Sequence, residues 1–344
     1  MVESLSSRVR APRSLERPAA TPEATWRAAT EADVDAILDC EMAIAAVDHP
    51  RYVISREEIE DDFRLSYVDL GRDTIVAVAP DGRVLAWGVV IATPDRETLV
   101  RSILAGGVRP SARGLGLGRQ LLAWQEGRGR QQLATSDAEL PGWLVSYADS
   151  GAVETRRLLE RTGFAPARYF LEVTRDLADP VRDRPAPEGV RIEPFTEDLW
   201  ESTRLARNDA FRDHWGSLPV SEEAWLAFAR RRVSRPEWSF VALGEDAAGG
   251  WQVVGFVLAQ ANEQDWPLQG FTSGYVDLVG TRRDWRGRGL ASALLSRTIR
   301  AVAADGIQKL VLDVDSESPT GALGLYTGLG FAESASSASY TKVF

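Results

Sequence analysis

Arg286-Gly287-Arg288-Gly289-Leu290-Ala291 places an arginine and closely spaced small residues after an apolar run, Tyr275 to Val279, and at the head of a helix-like one, Leu290 to Val302. A strand-to-helix turn of that composition leaves several backbone N–H groups without partners and aims them one way at a helix N-terminus. That arrangement suits a pyrophosphate. A second copy, Arg113-Gly114-Leu115-Gly116-Leu117-Gly118, follows Val108 upstream. Both fit Arg-x-x-Gly-x-Gly/Ala, and two copies in one chain are far less expected by chance than one. The pattern is not the Gly-x-Gly-x-x-Gly of a dinucleotide fold. Nor is it a P-loop, since no Gly-Lys-Ser/Thr follows.

The elements that must hold these turns recur. Trp26 to Asp33 and Val190 to Asp198 each read as a strand running into a helix N-cap, with acidic residues in the first turn. Paired strands follow: Thr74 to Ala79, an Asp81-Gly82 turn and Val84 to Ala92 in the first half, then Ser239 to Leu243, Gly249-Gly250 and Gln252 to Gln260 in the second. The arginines of the two turns stand 86 and 95 residues after the matched Arg27 and Arg191. Each half ends in Gly-Phe, at Gly163-Phe164 and Gly330-Phe331. The chain therefore reads as an internal repeat. Domains are expected over 25–178 and 189–344, joined by a Pro-rich linker or extended crossing strand over 179–188.

The turn resembles the coenzyme A loop of the GNAT (Gcn5-related N-acetyltransferase) superfamily. The second copy carries more of that pattern: Lys309 to Val314 is similar to the next strand, and Pro319-Thr320-Gly321-Ala322-Leu323-Gly324-Leu325-Tyr326 to the last helix. The resemblance implies an α/β (α+β) fold of two tandem GNAT domains. Each would hold a mixed, mostly antiparallel central sheet, splayed between strands 4 and 5 and flanked by helices. It also implies acetyl-CoA as the acyl donor, a small-molecule primary amine as acceptor, and direct attack. The pantetheine arm would lie in the splay beside Leu278 and Val279. Thr281, Arg286, Gly287, Arg288, Gly289, Leu290 and Ala291 would hold the pyrophosphate. Many relatives have an asparagine where this chain has Ser318, a shorter donor to the same arm. Val108, Arg113, Gly114, Gly116 and Gly118 would form the matching cradle of the first repeat, or a glycine turn kept for packing.

Acetyl transfer needs a base for the ammonium and an acid for the departing sulfur. Family members keep a carboxylate near the position of Asp277 and a tyrosine at that of Tyr326, and these take the two roles here by resemblance. Aligning the repeats sets Leu104 opposite Asp277, Ser102 opposite Tyr275 and Leu159 opposite Tyr326. The catalytic half is therefore expected to be the second. Tyr275, on the strand face of Asp277, is expected to line the acceptor pocket or the core. Asn208 to Gly216 is similar to the Asn-x-Ala-Phe-x-x-His segment of the mycothiol synthase family of actinobacteria, which acetylates the cysteinyl amine of a glucosaminyl-inositol. His214 would there assist proton removal, bind substrate, or simply cap a loop.

Composition bounds the alternatives. Fifty acidic against 40 basic side chains give a formal charge of −10, which speaks against a nucleic-acid partner. The excess suits a cationic acceptor, or serves only solubility. A single cysteine, Cys40, excludes an internal disulfide, and two histidines argue against a dedicated metal site. No apolar run approaches the roughly 20 residues of a membrane span, so no membrane partner is expected. Residues 1–24, rich in Arg, Ser, Pro and Ala, are expected to form a disordered arm. The natural expectation is a cytoplasmic enzyme, monomeric or homodimeric. An acyl-CoA-binding regulatory or scaffold protein without turnover, and an enzyme acetylating proteins, are the competing readings.

Overall fold

The computed structural model describes residues 3–94, 96–246, 249–318 and 321–344. The first repeat supplies α1 (Leu5–Arg8), β1 (Thr25–Arg27), α2 (Val34–Asp48), α3 (Arg56–Arg64), α4 (Leu70–Asp73), β2 (Thr74–Val78), β3 (Val84–Ala92) and β4 (Val100–Val108). It continues with α5 (Leu117–Leu133), β5 (Gly142–Asp149), α6 (Val153–Arg161) and β6 (Ala165–Asp176). The second supplies β7 (Val190–Pro194), α7 (Trp200–Ala210), α8 (Glu222–Ala229), β8 (Phe240–Glu245), β9 (Trp251–Gln260) and α9 (Trp266–Gln269). It ends with β10 (Ser273–Thr281), α10 (Leu290–Ala304), β11 (Lys309–Asp315), α11 (Ala322–Thr327) and β12 (Ala332–Val343). Of the expected last helix, Pro319 and Thr320 lie outside the described residues.

Two compact units result, one of residues up to Arg168 with Ser337–Phe344, the other of Tyr169–Ser336. In the first, β1 to β4 run antiparallel, β4 and β5 are parallel, and residues 337–343 of β12 lie antiparallel to β5. The second repeats this order with β7 to β10 antiparallel, β10 parallel to β11, and residues 170–176 of β6 antiparallel to β11. Even the irregularities match, since a one-residue register shift falls between Ala77 and Val78 in β2 and between Ala242 and Leu243 in β8. The division differs from the expected boundaries in one respect: the strand that closes each repeat in sequence completes the sheet of the other unit. Both closing strands follow the same Gly-Phe turn, and the edges of β5 and β11 offer equivalent ladders, so local pattern does not decide between them.

Each sheet is covered on both faces. In the first unit α5 packs Leu117, Leu121 and Leu122 on Leu104 and Leu144, while α2 packs Ile37 and Ile44 with Val76 and Val89 on the other side. In the second, α10 sets Leu290, Leu294 and Ile299 against Val254, Val257 and Val276, and α7 and α8 set Ala206 and Trp225 against Phe256 and Leu258.

From residue 3 onward the N-terminal arm is ordered, contrary to expectation. Leu5 and Val9 are fully buried, and the Leu5 amide donates to the Ala138 carbonyl at 3.0 Å. Two apolar side chains, each contributing about 1.5–3 kcal/mol on burial, anchor a segment whose composition alone suggests disorder. The Pro-rich linker is an extended segment fastened to α10, with Ser296 Oγ donating to the Arg182 carbonyl at 2.8 Å and Arg300 paired with Asp183. Among the described residues no helix is long and apolar enough to cross a membrane.

Candidate active site

Both glycine turns join the fourth strand of a sheet to its longest helix. Gly287 and Gly289 have φ of +75° and +81°, and Gly114 and Gly116 have +84° and +85°. This left-handed conformation is open to glycine at little cost. A Cβ built on Gly114, Gly287 or Gly289 would meet nothing within 4 Å, so the space before each turn is open. The amides of Gly287 through Ala291, and of Gly114 through Gly118, donate to no acceptor among the described residues. A row of undirected donors at a helix N-terminus is what an anionic pyrophosphate requires, so the residues present fit coenzyme A in both turns. Gly118 has a further duty: its Cβ would stand 3.3 Å from Leu158, so a small residue lets α5 approach α6.

The side chain of the motif's arginine is engaged within the protein in both units. Arg286 donates from Nε to the Thr281 carbonyl at 3.4 Å and from Nη2 to the Ala210 carbonyl, at the C-terminus of α7, at 2.8 Å. Its Nη1 lies 3.7 Å from Asp213, which also pairs with Arg283. Arg113 repeats the geometry: Nε reaches the Val108 carbonyl at 3.3 Å, and a two-pronged pair at 2.9 and 2.7 Å holds Asp48 at the C-terminus of α2. In each unit the guanidinium ties the turn to the end of the first long helix, leaving the backbone amides to face the open space. Arg288 stands beside the turn, with Nη2 on the Asp284 carbonyl at 3.0 Å and its guanidinium over the Trp285 ring.

Beyond the turns the two units diverge. The parallel pairing of β10 with β11 ends at Tyr275–Val311, and that of β4 with β5 at Ile103–Val145, so both sheets open into a gap. Only the second has a bulge there. Between Val276 and Leu278 the β10–β9 register slips by one residue, making Asp277 the extra residue, whereas β4 keeps one register with β3 from Ser102 to Val108. The slip reverses the side-chain alternation: Val276 and Val279 both pack under α10, while Leu278 packs under α7 and α8. In the first unit Leu104, opposite Asp277 in the alignment, is a core residue. A bulge bends the strand and re-aims the side chains on either side of the extra residue.

Tyr326 sits on α11, 7% exposed and edge-on to Phe331. Its hydroxyl has no hydrogen-bond partner among the described residues, and burial pushes it up to about 12. The phenol therefore stays protonated throughout the neutral range. It shares the core beneath α10 with Val276 and Leu290, which joins the helix of the tyrosine, the bulged strand and the glycine turn in one packed cluster. Leu159, its counterpart, is a buried aliphatic in the first unit.

Tyr275 is fixed at the mouth of the gap by donating to Asp313 Oδ2 on β11 at 2.9 Å. Ser318 follows β11, its amide on the Asp315 carbonyl at 3.1 Å. His214 lies on the loop after α7 beside the Phe211 ring, and its own ring makes no hydrogen bond among the described residues. That loop is held back on α7 by Arg207 to the Leu218 carbonyl and by Asn208 Oδ1 accepting from the Val220 amide. The pairing of Asp213 with Arg283 and Arg286 was not foreseen from the sequence, although Asp213 lies within the segment singled out there. Arg175 was also missed, yet it and Lys342 each stand eleven residues after the Gly-Phe phenylalanine of their repeat.

A sequence model described as the acetyltransferase (GNAT) family matches residues 197–331. Curated relatives include the mycothiol acetyltransferase of Nocardioides sp., 29% identical over 65% of this chain and 74% of that one. The mycothiol acetyltransferase of Thermobispora bispora is 31% identical over 65% of this chain and 70% of its own. Among solved structures, a GCN5-related N-acetyltransferase from Sphaerobacter thermophilus has a TM-score of 0.68 at 29% identity, over 93% of this chain and 95% of that one. A tandem GNAT protein from the clavulanic acid biosynthesis pathway has a TM-score of 0.65 at 17% identity, over 93% and 98% of the two chains, a likeness of fold.

Proposed function

The chain belongs to the GNAT family of acetyltransferases, and on that premise we propose that its second unit transfers an acetyl group from acetyl-CoA to the primary amine of a small molecule by direct attack. The observation that carries this reading is the bulge at Asp277 in a sheet gap that also has an open amide turn and a buried tyrosine. The first unit has the gap and the turn without the bulge, the carboxylate or the phenol.

When bound, the coenzyme supplies an acetyl thioester. The amides of Gly287 through Ala291 hold its pyrophosphate, with Arg286 keeping the turn against α7. The bulged stretch of β10 at Leu278 and Val279 would turn backbone N–H donors toward a carbonyl in the gap. Asp277 takes the proton of the acceptor ammonium, directly or through water. Tyr326, kept neutral by burial, gives its hydroxyl proton to the departing sulfur. Tyr275, braced by Asp313, and His214 line the acceptor side.

A second reading is acetylation of the cysteinyl amine of a glucosaminyl-inositol, favoured by the name of the relatives that the sequence matches. Both readings are tested by following free thiol released from acetyl-CoA across a panel of amines that includes this one. Amine-dependent turnover lost in Gly289→Trp is the expected result. Binding of acetyl-CoA with no turnover on any amine would replace the enzyme with a binding or scaffold protein.

A further inference from the structure

A groove of about 500 Å³ in the first unit lies between the N-terminal segment and the C-terminal half of α5, away from the glycine turn at the head of that helix. Four arginines border it: Arg13 and Arg17 from the segment, Arg72 from α4 and Arg128 from α5. Trp124, 6% exposed, contributes to its wall. The guanidinium groups of Arg13 and Arg72 make no hydrogen bond or ion pair among the described residues, and Arg17 makes only a 3.5 Å contact with the Gly71 carbonyl. Arg128 is nine-tenths buried, with Nε on Asp73 at 2.6 Å and Nη1 on Gln131 at 3.0 Å. Its Nη2 has no partner among the described residues.

The nearby carboxylates answer only part of this charge: Asp73 is committed to Arg128. Asp73 already accepts from Arg128, from Gln132 at 2.9 Å and from the Asp69 amide at 2.8 Å. Glu16 is the one acid that borders the groove among the residues described there. In a chain with a formal charge of −10, Arg13, Arg17 and Arg72 around one groove, with only Glu16 beside them, repel each other unless an anion joins them. A carboxylate presents one edge and is met by one guanidinium fork. Several guanidinium groups bordering one groove from different elements suit a tetrahedral oxyanion with acceptors on every side.

We propose that this groove is a binding site for a small phosphate-bearing anion, separate from both coenzyme turns. Inorganic pyrophosphate is the probe, titrated calorimetrically into protein already saturated with coenzyme A so that the glycine turns are occupied. The expected result is one site, weakened as salt rises. Arg13→Gln/Arg72→Gln should weaken it at least roughly tenfold, the effect of about 1.4 kcal/mol of lost charge-assisted contact. Both side chains are exposed and unpartnered, so the unfolding midpoint and coenzyme A affinity of the variant should match the wild type. Absence of a pyrophosphate site in the saturated wild type overturns the proposal. So does a site that the double variant leaves intact, which would place the anion elsewhere.

Discussion

Arg175 Nη1 donates to the carbonyl of Leu329 at 2.6 Å, three residues past Tyr326, and its Nη2 holds the Asp179 carbonyl at 2.7 Å. The side chain is 3% exposed and comes from β6, the strand that the first repeat contributes to the second unit. Lys342, from β12, does the same in the first unit: Nζ donates to the Thr162 carbonyl at 2.7 Å, the position matching Leu329. A cation at a helix C-terminus satisfies carbonyls that the helix itself leaves unpaired. Gly330, with φ of +87°, gives Arg175 room, since a Cβ there would lie 2.2 Å from Nη1.

If Tyr326 acts as proposed, Arg175 would act on the reaction through the setting of α11. Arg175→Gln should lower kcat several-fold and leave KM for acetyl-CoA nearly unchanged, because the glycine turn belongs to α10. Stability should fall by about 1–3 kcal/mol, the effect of an unsatisfied buried carbonyl. Arg175→Lys should recover part of kcat, as Lys342 performs the same task in the first unit. A loss of stability with kcat intact would reduce the residue to a structural cap.

Tyr326→Phe should slow turnover by roughly 100- to 10,000-fold, the range for lost general acid catalysis, with acetyl-CoA binding retained. The variant also has a signature in stability. Burial raises the folded-state pKa of this phenol from 10.0 to about 12, so the unfolded chain ionises first as pH rises. The stability difference is fully present below pH 10 and is lost as pH climbs toward about 12. Alkaline unfolding curves should thus be steeper for the wild type than for Tyr326→Phe. Equal slopes would mean that the hydroxyl is hydrated in the folded protein.

The two glycine turns predict two coenzyme sites of different consequence. Gly289→Trp should abolish one calorimetric acetyl-CoA site and all turnover. Gly116→Trp should abolish the other and leave turnover in place. Both substitutions put bulk and a strained left-handed residue, costing about 1–2 kcal/mol, where the amides face open space. A single wild-type site, lost only in Gly289→Trp, would leave the first turn a packing element.

Cys40 is fully buried, and burial pushes its thiol up to about 12. The native protein should therefore release no colour from an aromatic disulfide reagent over hours at pH 8, and one equivalent after unfolding in guanidinium. Rapid reaction in the native state would reveal opening of the core around α2.

Much of this was legible in the residues. Alternating apolar runs broken by Asp81-Gly82 or Gly249-Gly250 locate the hairpins, because such turns need the backbone freedom that glycine provides. The Arg-x-x-Gly-x-Gly/Ala spacing locates both turns. Three features were not legible, for separate reasons. The exchange of β6 and β12 depends on which distant edge a strand meets, and either edge satisfies its ladder. The order of the N-terminal segment rests on Leu5 and Val9, too few to raise its mean hydropathy. The reach of Arg286 to the end of α7 is a tertiary contact, and the spacing that marks the turn says nothing of where a long side chain goes.

The exchanged strands bear on how the protein is made. During synthesis β5 waits with an open edge until residues 337–343 have left the ribosome, so the first unit to be translated is the last to be finished. The second unit in turn contains 170–176, and a fragment beginning at the second repeat would lack both a strand and Arg175. The two repeats are thus inseparable by truncation. A gene split between them yields two incomplete sheets, each with a bare edge open to aggregation, and a working pair only if the fragments exchange their strands on meeting.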